Sequence, residues 1–424
     1  MALIKPFRAV IYNQSKVGDI SKTVCPPYDV ISSQDQQRFL SSSPYNFVRL
    51  ILGKIEPTDC ENENRYTRAK RFLDDWLRQE ILKKEDKPAI YFYSQEYIFQ
   101  GERKKRLGFI ALMRLEEGNG QVFLHENTHL SPKEDRLQLL KNVEANLSPI
   151  FVLFSDKERN IRTTFEEVLD KQSPLIDITD DEKISHKLWP ITDENLINKI
   201  RASLEDKHIF IADGHHRYEV AMEFCRLMRS RSKEVSPEAD YNYMLTYFTN
   251  IDSRDLLILP IHRVVKSFPQ DINFLKEFFR IEKIKTKHEL LVGLAKAARN
   301  EYVFGLYHGG NLYLLRLNNE RLLDSLITQG SREYKRLDVM ILKSLIFDRL
   351  NISSLDLIYT KEAQEALSLV DKKQAQACFL LNPVKIETLR LITINNERMP
   401  PKSTYFYPKV LSGLVVNKFN QEKS

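Results

Sequence analysis

Apolar positions along this chain follow two periods, and the switches between them mark out the elements. Residues 7–12 (Phe7-Arg8-Ala9-Val10-Ile11-Tyr12) read as a strand, and residues 24–31 read as a strand-like stretch around a double proline. Over 66–82, Ala69, Phe72, Leu73, Trp76, Leu77 and Ile81 share one face of an amphipathic helix. Two strands rich in aromatic and aliphatic residues follow at 89–99 and 107–115, joined through Gln100-Gly101-Glu102-Arg103-Lys104-Lys105 as a hairpin connection. Short apolar runs at 150–154, 208–211, 243–248 and 256–260 read as buried strands, with a helix at 160–170. Val220, Ala221, Phe224, Leu227 and Met228 recur at helical spacing. Beyond 271, helices at 274–280, 287–300, 337–350 and 361–370 are interleaved with strands at 302–306, 311–317 and 377–381. This mixture predicts an α+β (mixed α/β) chain. The composition break Lys266-Ser267-Phe268-Pro269-Gln270-Asp271 divides it into two domains, 1–268 and 269–424.

Length and charge narrow the class. A chain of 424 residues exceeds what one core usually supports, in line with two domains. With 42% hydrophobic and 29% charged residues it has the composition of a soluble globular protein. The most apolar stretch, 137–154, is interrupted by Lys141, Glu144 and Pro149, so no membrane span is expected. The first residues lack a signal-peptide pattern, which places the expected location in the cytoplasm. The net charge of +6 is spread along the chain and argues against nucleic acid as a partner. Cys25, Cys60, Cys225 and Cys378 form no Cys-x-x-Cys pair, so they are expected to be inert thiols. Cys25 draws notice only because it precedes Pro26-Pro27-Tyr28-Asp29 in a turn.

Candidate chemistry concentrates in three places. Asp213-Gly214-His215-His216-Arg217-Tyr218 sits where the strand 208–211 turns into a helix, a junction whose unpaired N–H groups and positive dipole end favour a phosphate. Arg217 and the two histidines add donors, while Asp213 suits an N-cap or a magnesium ligand. The second place is His125-Glu126-Asn127-Thr128-His129, a literal match to the zinc motif His-Glu-x-x-His, although Asn127-Thr128 and Ser131-Pro132 are poor helix text. Ser131 with Glu134 also fits a capping box for the helix that follows. Third, Met399-Pro400-Pro401-Lys402-Ser403-Thr404-Tyr405-Phe406-Tyr407-Pro408-Lys409 could form a rigid loop presenting cations to an anion, or an ordinary surface loop with aromatic anchors. His262-Arg263 reads as a structural histidine at a strand end, and the basic run 226–233 as a solvated helix face.

Pro26-Pro27-Tyr28-Asp29, His125-Glu126-Asn127-Thr128, Asp135-Arg136, the Asp213 to Tyr218 turn and the 401–409 loop, in this order and spacing, resemble the family called domain of unknown function 1015. The Asp-Gly-His-His-Arg turn is also similar to the phosphate-binding turn of the ParB and sulfiredoxin superfamily, which includes a free-serine kinase. That resemblance implies a ParB/sulfiredoxin-like core carrying a long insertion, with a second C-terminal α+β domain. It further implies that Gly214, His215, His216 and Arg217, with Lys402, Ser403 and Thr404, hold nucleotide phosphates. Asp213 and Glu126 would serve as magnesium ligands or general base, and His125 would be a further catalytic residue. The expected activity is phosphoryl transfer from ATP or ADP, with magnesium, to a small hydroxylated metabolite such as serine. Two alternatives stand beside it: a nucleotide-gated binding protein without turnover, and a metal-dependent hydrolase built on His125, Glu126 and His129.

Overall fold

The computed structural model describes residues 3–116, 121–126, 130–169, 171–231, 236–297 and 301–420, with backbone alone at 130, 131 and 297. Contacts divide the chain into two units: Met1–Phe123, Thr128–Leu256 and Pro408–Ser424 in the first, Leu124–Asn127 and Leu257–Tyr407 in the second. The chain thus touches the second unit first at Leu124, enters it again at Leu257, ahead of the composition break at 266–271, and returns to the first from Pro408.

The first unit is organised by one mixed sheet. Its strands are β1 (Ile90–Phe99), β2 (Glu102–Arg114), β3 (Val122–Leu124), β4 (Ile150–Phe154), β5 (Ile176–Thr179), β6 (Ser185–Ile191), β7 (Ile209–Asp213) and β8 (Tyr243–Asn250). They run in the order β3-β7-β4-β8-β2-β1-β6-β5, and Ile4–Lys5 pairs with β2. Strands β4 and β8 are parallel, with Thr246 opposite Ile150 and Asn250 opposite Phe154. Every residue of β4 is buried, which explains why it reads as an uninterrupted apolar run. The hairpin is tighter than expected: Phe99 pairs with Glu102, and Gln100 (φ 50°) with Gly101 (φ 83°) makes a two-residue turn, so Glu102 to Lys105 are strand.

Helices α1 (Arg65–Arg78), α2 (Leu130–Val143), α3 (Asn160–Leu169) and α4 (Glu194–Leu204) join α5 (His215–Arg231) in this unit, with α2 packed against both α1 and α5. Helix α2 begins at Leu130, so Ser131 lies within it and not at the cap expected before it. The stretch 24–31 is not a strand, since Tyr28–Val30 forms a 3-10 turn. Cys25 is fully enclosed, paired to Ser412 through the backbone, and burial pushes its thiol well above the ordinary value. A thiol so protonated is no nucleophile.

The second unit holds β9 (Leu257–Leu259), β10 (His262–Val265), β11 (Phe279–Ile284), β12 (Val303–His308), β13 (Asn311–Leu317), β14 (Leu357–Thr360), β15 (Ala377–Leu380) and β16 (Tyr405–Tyr407). An antiparallel sheet runs β11-β13-β12-β15-β10-β14, and β9 pairs with β16. Helices α6 (Lys287–Ala297) and α8 (Ala363–Asp371) supply Leu290, Leu294, Ala366 and Leu367 to a core shared with Val264, Val303 and Leu380. Two expected helices change. Residues 274–280 become a 3-10 turn and the start of β11, because Phe279 and Ile281 pair with Leu317 and Leu315. The helix over 337–350 is α7 (Asp338–Leu342) followed by a π-helical segment Lys343–Phe347, where Asp348 N–H reaches the Lys343 carbonyl at 2.8 Å.

Gly108 on β2 permits a close approach of the neighbouring strand β8. A Cβ there would lie 2.2 Å from the Phe248 carbonyl oxygen and 2.6 Å from the Tyr247 ring. Gly108→Ala is expected to destabilise the protein by about 3 kcal/mol, read as a lower urea midpoint at unchanged slope.

Candidate functional site

The Asp213 turn is built by a defect in the sheet. Along β7, Phe210 and Ile211 stand opposite Leu153 and Val152, then the register slips so that Asp213 faces Phe151. This bulge at Ala212 re-aims the strand end. Gly214 follows with φ +92°, and its missing side chain matters: a Cβ would fall 2.8 Å from Ile150 Cγ2 and 3.0 Å from Arg217 Nη2. The 17-residue helix α5 then starts at His215, which is buried, with the half-buried His216 next to it.

Asp213 carries two cations. Arg217 Nη2 donates to Asp213 Oδ2 at 2.7 Å, and Lys409 Nζ donates to Oδ1. The side chains of Asp213, Arg217 and Lys409 are 12%, 10% and 9% exposed, so this is a largely desolvated cluster and not a loose surface pair. Arg217 also donates through Nη1 to the Pro149 carbonyl. Its guanidinium therefore clamps the turn, a different task from the phosphate contact expected of it.

Lys409 is delivered by a buried arginine. Arg106, with no exposed surface, donates through Nε to Gln95 Oε1 at 3.1 Å and through Nη2 to the Pro408 carbonyl, while Gln95 Nε2 donates to the Lys409 carbonyl at 2.8 Å. The Arg106 guanidinium lies 4.7 Å from the centre of the Phe151 ring and 5.6 Å from that of Tyr247. Lys409 was legible only as one cation of the C-terminal loop, and nothing in the sequence linked it to Asp213.

Three of the sequence motifs line one pocket in the first unit. A small pocket is bounded by Tyr28, Arg136 and Arg217, with apolar walls from Leu139, Leu140, Val220 and Met244. Arg136 stacks 4.0 Å from the Tyr28 ring centre and donates to the Ile51 carbonyl at 2.6 Å. Asp135 holds Arg136 Nε at 2.7 Å and the Tyr66 hydroxyl at 2.8 Å, and also receives Arg65.

The other candidates gather in the second unit. Glu126 accepts the backbone N–H groups of Lys402 and Ser403 at 3.2 Å and of Thr404 at 3.0 Å, and the Thr404 hydroxyl at 3.0 Å. Lys402 has φ +60°, which helps to turn these consecutive amides onto one carboxylate. The loop is thus an anion cradle whose anion is Glu126, so its amides serve the chain where phosphate binding was expected. His125 is buried, its Nε2 3.1 Å from Thr404 Oγ1, and its carbonyl accepts the Met399 N–H at 2.6 Å. His125 and Glu126 lie ahead of helix α2, whereas a His-Glu-x-x-His zinc site requires both histidines on one helix face. The hydrolase reading fails on that geometry; His129, with Asn127 and Thr128, lies outside the described residues.

Magnesium held by Asp213 and Glu126 fits this arrangement poorly. Both Asp213 oxygens already face cations, and both Glu126 oxygens already accept backbone N–H groups. Among the described residues no group of three or more histidine, cysteine or acidic side chains is disposed to hold a metal ion, and no helix is long and apolar enough to cross a membrane.

The molecule is a mixed α+β protein whose bulged strand, glycine and long helix make a cation-lined turn over an apolar pocket. It belongs to the family described as "Protein of unknown function (DUF1015)", which matches residues 4–340. No curated protein matches the chain. Among solved structures, a conserved hypothetical protein from Pyrococcus furiosus aligns at 12% identity and TM-score 0.35, over 70% of this chain and 92% of that one. A free serine kinase in complex with AMP aligns at 15% and 0.34, over 68% and 83%. SbnI with a C-terminal truncation, from Staphylococcus aureus, aligns at 11% and 0.38, over 72% and 86%.

Two measurements probe this construction. Arg106→Met should cost about 3 kcal/mol in urea unfolding, because it strands buried acceptors on Gln95 and Pro408. The second concerns His262 at the start of β10, beside Arg263, which donates to the Lys402 carbonyl at 2.8 Å. His262 Nδ1 accepts the Leu381 N–H at 3.2 Å, and burial, with Arg263 adjacent, lowers its pKa to about 4. An unfolded histidine takes up its proton near pH 6.5 and the folded one only near pH 4. Its stabilisation is therefore complete above about pH 6.5 and lost as the pH falls towards 4, by up to about 3 kcal/mol. His262→Asn, which keeps an acceptor without a titrating ring, should flatten that acid limb in urea unfolding at pH 7 against pH 4.5.

Proposed function

We propose that this chain binds a nucleotide at the Asp213 turn and transfers a phosphoryl group to a small hydroxylated metabolite such as serine. The observation that carries the reading is the meeting of Lys409, Arg217 and the α5 N-terminus at one turn, in a unit where Arg217 also lines the apolar pocket. A helix N-terminus with an added ammonium suits phosphate, and apolar walls suit a base or ribose face. The resemblance of the Asp-Gly-His-His-Arg turn to nucleotide-binding turns points the same way.

In this reading the entering phosphate draws the Lys409 ammonium away from Asp213, with His216 as a further donor. Asp213, released from one cation, accepts the proton of the acceptor hydroxyl as its oxygen attacks the terminal phosphorus. The phosphorus–oxygen bond to the nucleotide breaks, and the shortened nucleotide departs with that bond's electron pair. Arg217 keeps the turn in shape throughout. No step is routed through a metal held by the protein, since Asp213 and Glu126 are already engaged. The engagement of Asp213 by two cations favours a second reading, nucleotide binding without turnover, in which displacement of Lys409 is itself the output.

Thermal shift with AMP, ADP and ATP, followed by mass spectrometry with serine as acceptor, separates the two. A bound nucleotide at a hundredfold excess over its Kd stabilises by about 2.7 kcal/mol. That shift should shrink strongly in Lys409→Ala, and phosphoserine should accumulate only if transfer occurs. No shift with any nucleotide would sink both readings.

A further inference from the structure

The segment that carries Lys409 is fixed at a third point, by a hydrogen-bond relay that reaches towards the surface. His186 on β6, Gln95 on β1 and Arg106 on β2 stand opposite one another in register, so the three form one row on one face of the sheet. Tyr93, two residues before Gln95, shares that face. Arg106 and Gln95 hold the carbonyls of Pro408 and Lys409, and the backbone N–H of Leu411 faces the Tyr93 hydroxyl. Tyr93 and His186 have no exposed surface.

From that hydroxyl the relay runs to the turn between β5 and β6. Tyr93 Oη lies 2.6 Å from His186 Nδ1, and His186 Nε2 lies 3.0 Å from Asp180 Oδ2. Asp180 Oδ1 accepts the Ile184 N–H at 2.9 Å. A carboxylate oxygen only accepts, so Nε2 carries the imidazole proton and Nδ1 offers its lone pair. The Tyr93 hydroxyl gives its one proton to Nδ1, which leaves its own lone pairs to the Leu411 N–H. With the proton on Nδ1 instead, the hydroxyl would be turned the other way and the Leu411 N–H would meet an O–H. Burial, opposed by Asp180, holds His186 below the ordinary histidine pKa, so the ring keeps a single proton at neutral pH. Of the other charged groups that face the ring, Arg106 acts with burial and Glu182 acts with Asp180.

We propose that Asp180 and His186 are positioning residues for Lys409: by fixing the imidazole tautomer they aim the Tyr93 hydroxyl, which holds Leu411 and with it the segment that brings the ammonium to Asp213. The functional weight of this placement rests on the proposed role of Lys409 at a nucleotide phosphate, whereas the placement itself is measured without nucleotide, so the two can fail separately.

Asp180→Asn is the discriminating variant. It keeps the size of the side chain and an oxygen for the Ile184 N–H, but it turns an NH2 group towards Nε2, which moves the imidazole proton to Nδ1. In the full chain with 15N-labelled histidine, His186 should show the Nε2–H tautomer at pH 7 and the Nδ1–H tautomer in Asp180→Asn, the signal being assigned by its loss in His186→Gln. Hydrogen exchange at the Leu411 amide should be about tenfold faster in Asp180→Asn and in Tyr93→Phe. In the double variant it should be no faster than in Tyr93→Phe, because the tautomer acts only through the hydroxyl. Acetylation of Lys409, followed by mass spectrometry against the exposed Lys16, should rise about threefold or more in both single variants. An Nδ1–H tautomer in the wild-type protein, unchanged exchange in Asp180→Asn, additive effects in the double variant, or unchanged Lys409 acetylation would each overturn the proposal. The wild-type tautomer needs no variant, so misfolding of either substitution still leaves a deciding measurement.

Discussion

Arg106 is the constraint on which the candidate site depends. A guanidinium with no exposed surface is costly to desolvate, and it persists only where every direction is compensated. Here the compensation comes from Gln95 on the neighbouring strand, the Pro408 carbonyl, and two aromatic faces from β4 and β8. Those same contacts bind residues 408 and 409 to the middle of the sheet, and Gln95 adds its own amide to the Lys409 carbonyl. The ammonium at the Asp213 turn is therefore set by a buried network some distance along the sheet. Such a network resists partial change, because removing one member leaves the others unsatisfied in a low dielectric.

Two carboxylates in this protein hold groups of a kind often reserved for a substrate. Asp213 gathers Lys409 and Arg217 where a phosphate would gather them, and Glu126 fills a cradle of three consecutive amides. An internal anion of this kind holds a cluster of donors in shape. In the proposed reading Asp213 gives up Lys409, a flexible point charge able to turn towards a second acceptor. Glu126 is different in kind. Its partners are backbone amides, fixed by the positive φ of Lys402 and by Ser403 bonding the Pro400 carbonyl at 2.6 Å, so its role is to hold the loop.

The literal His-Glu-x-x-His match shows how spacing can mislead. The chemistry of that motif lies in helical geometry, which brings two imidazoles to one face, and His125 with Glu126 precedes the helix and joins a bridge to Met399. Asn127-Thr128 and Pro132 are indeed weak helix text, so the warning was present in the residues.

By itself the amino-acid sequence determined the mixed α+β class, the amphipathic helices, the buried strands at 150–154 and 243–248, and the strand-glycine-helix turn at 213–215. These rest on local periodicity and on a glycine whose φ no other residue tolerates easily, and both are written in neighbouring positions. The tertiary structure alone decided the bulge at Ala212, the conversion of 279–284 to a strand, the π-helical break after Leu342, and the return of residues 408–420 to the first unit. It alone brought Lys409 to Asp213, 196 positions away. Such pairings depend on which strands become neighbours, a choice made by the burial of whole faces, and no local pattern of residues records it.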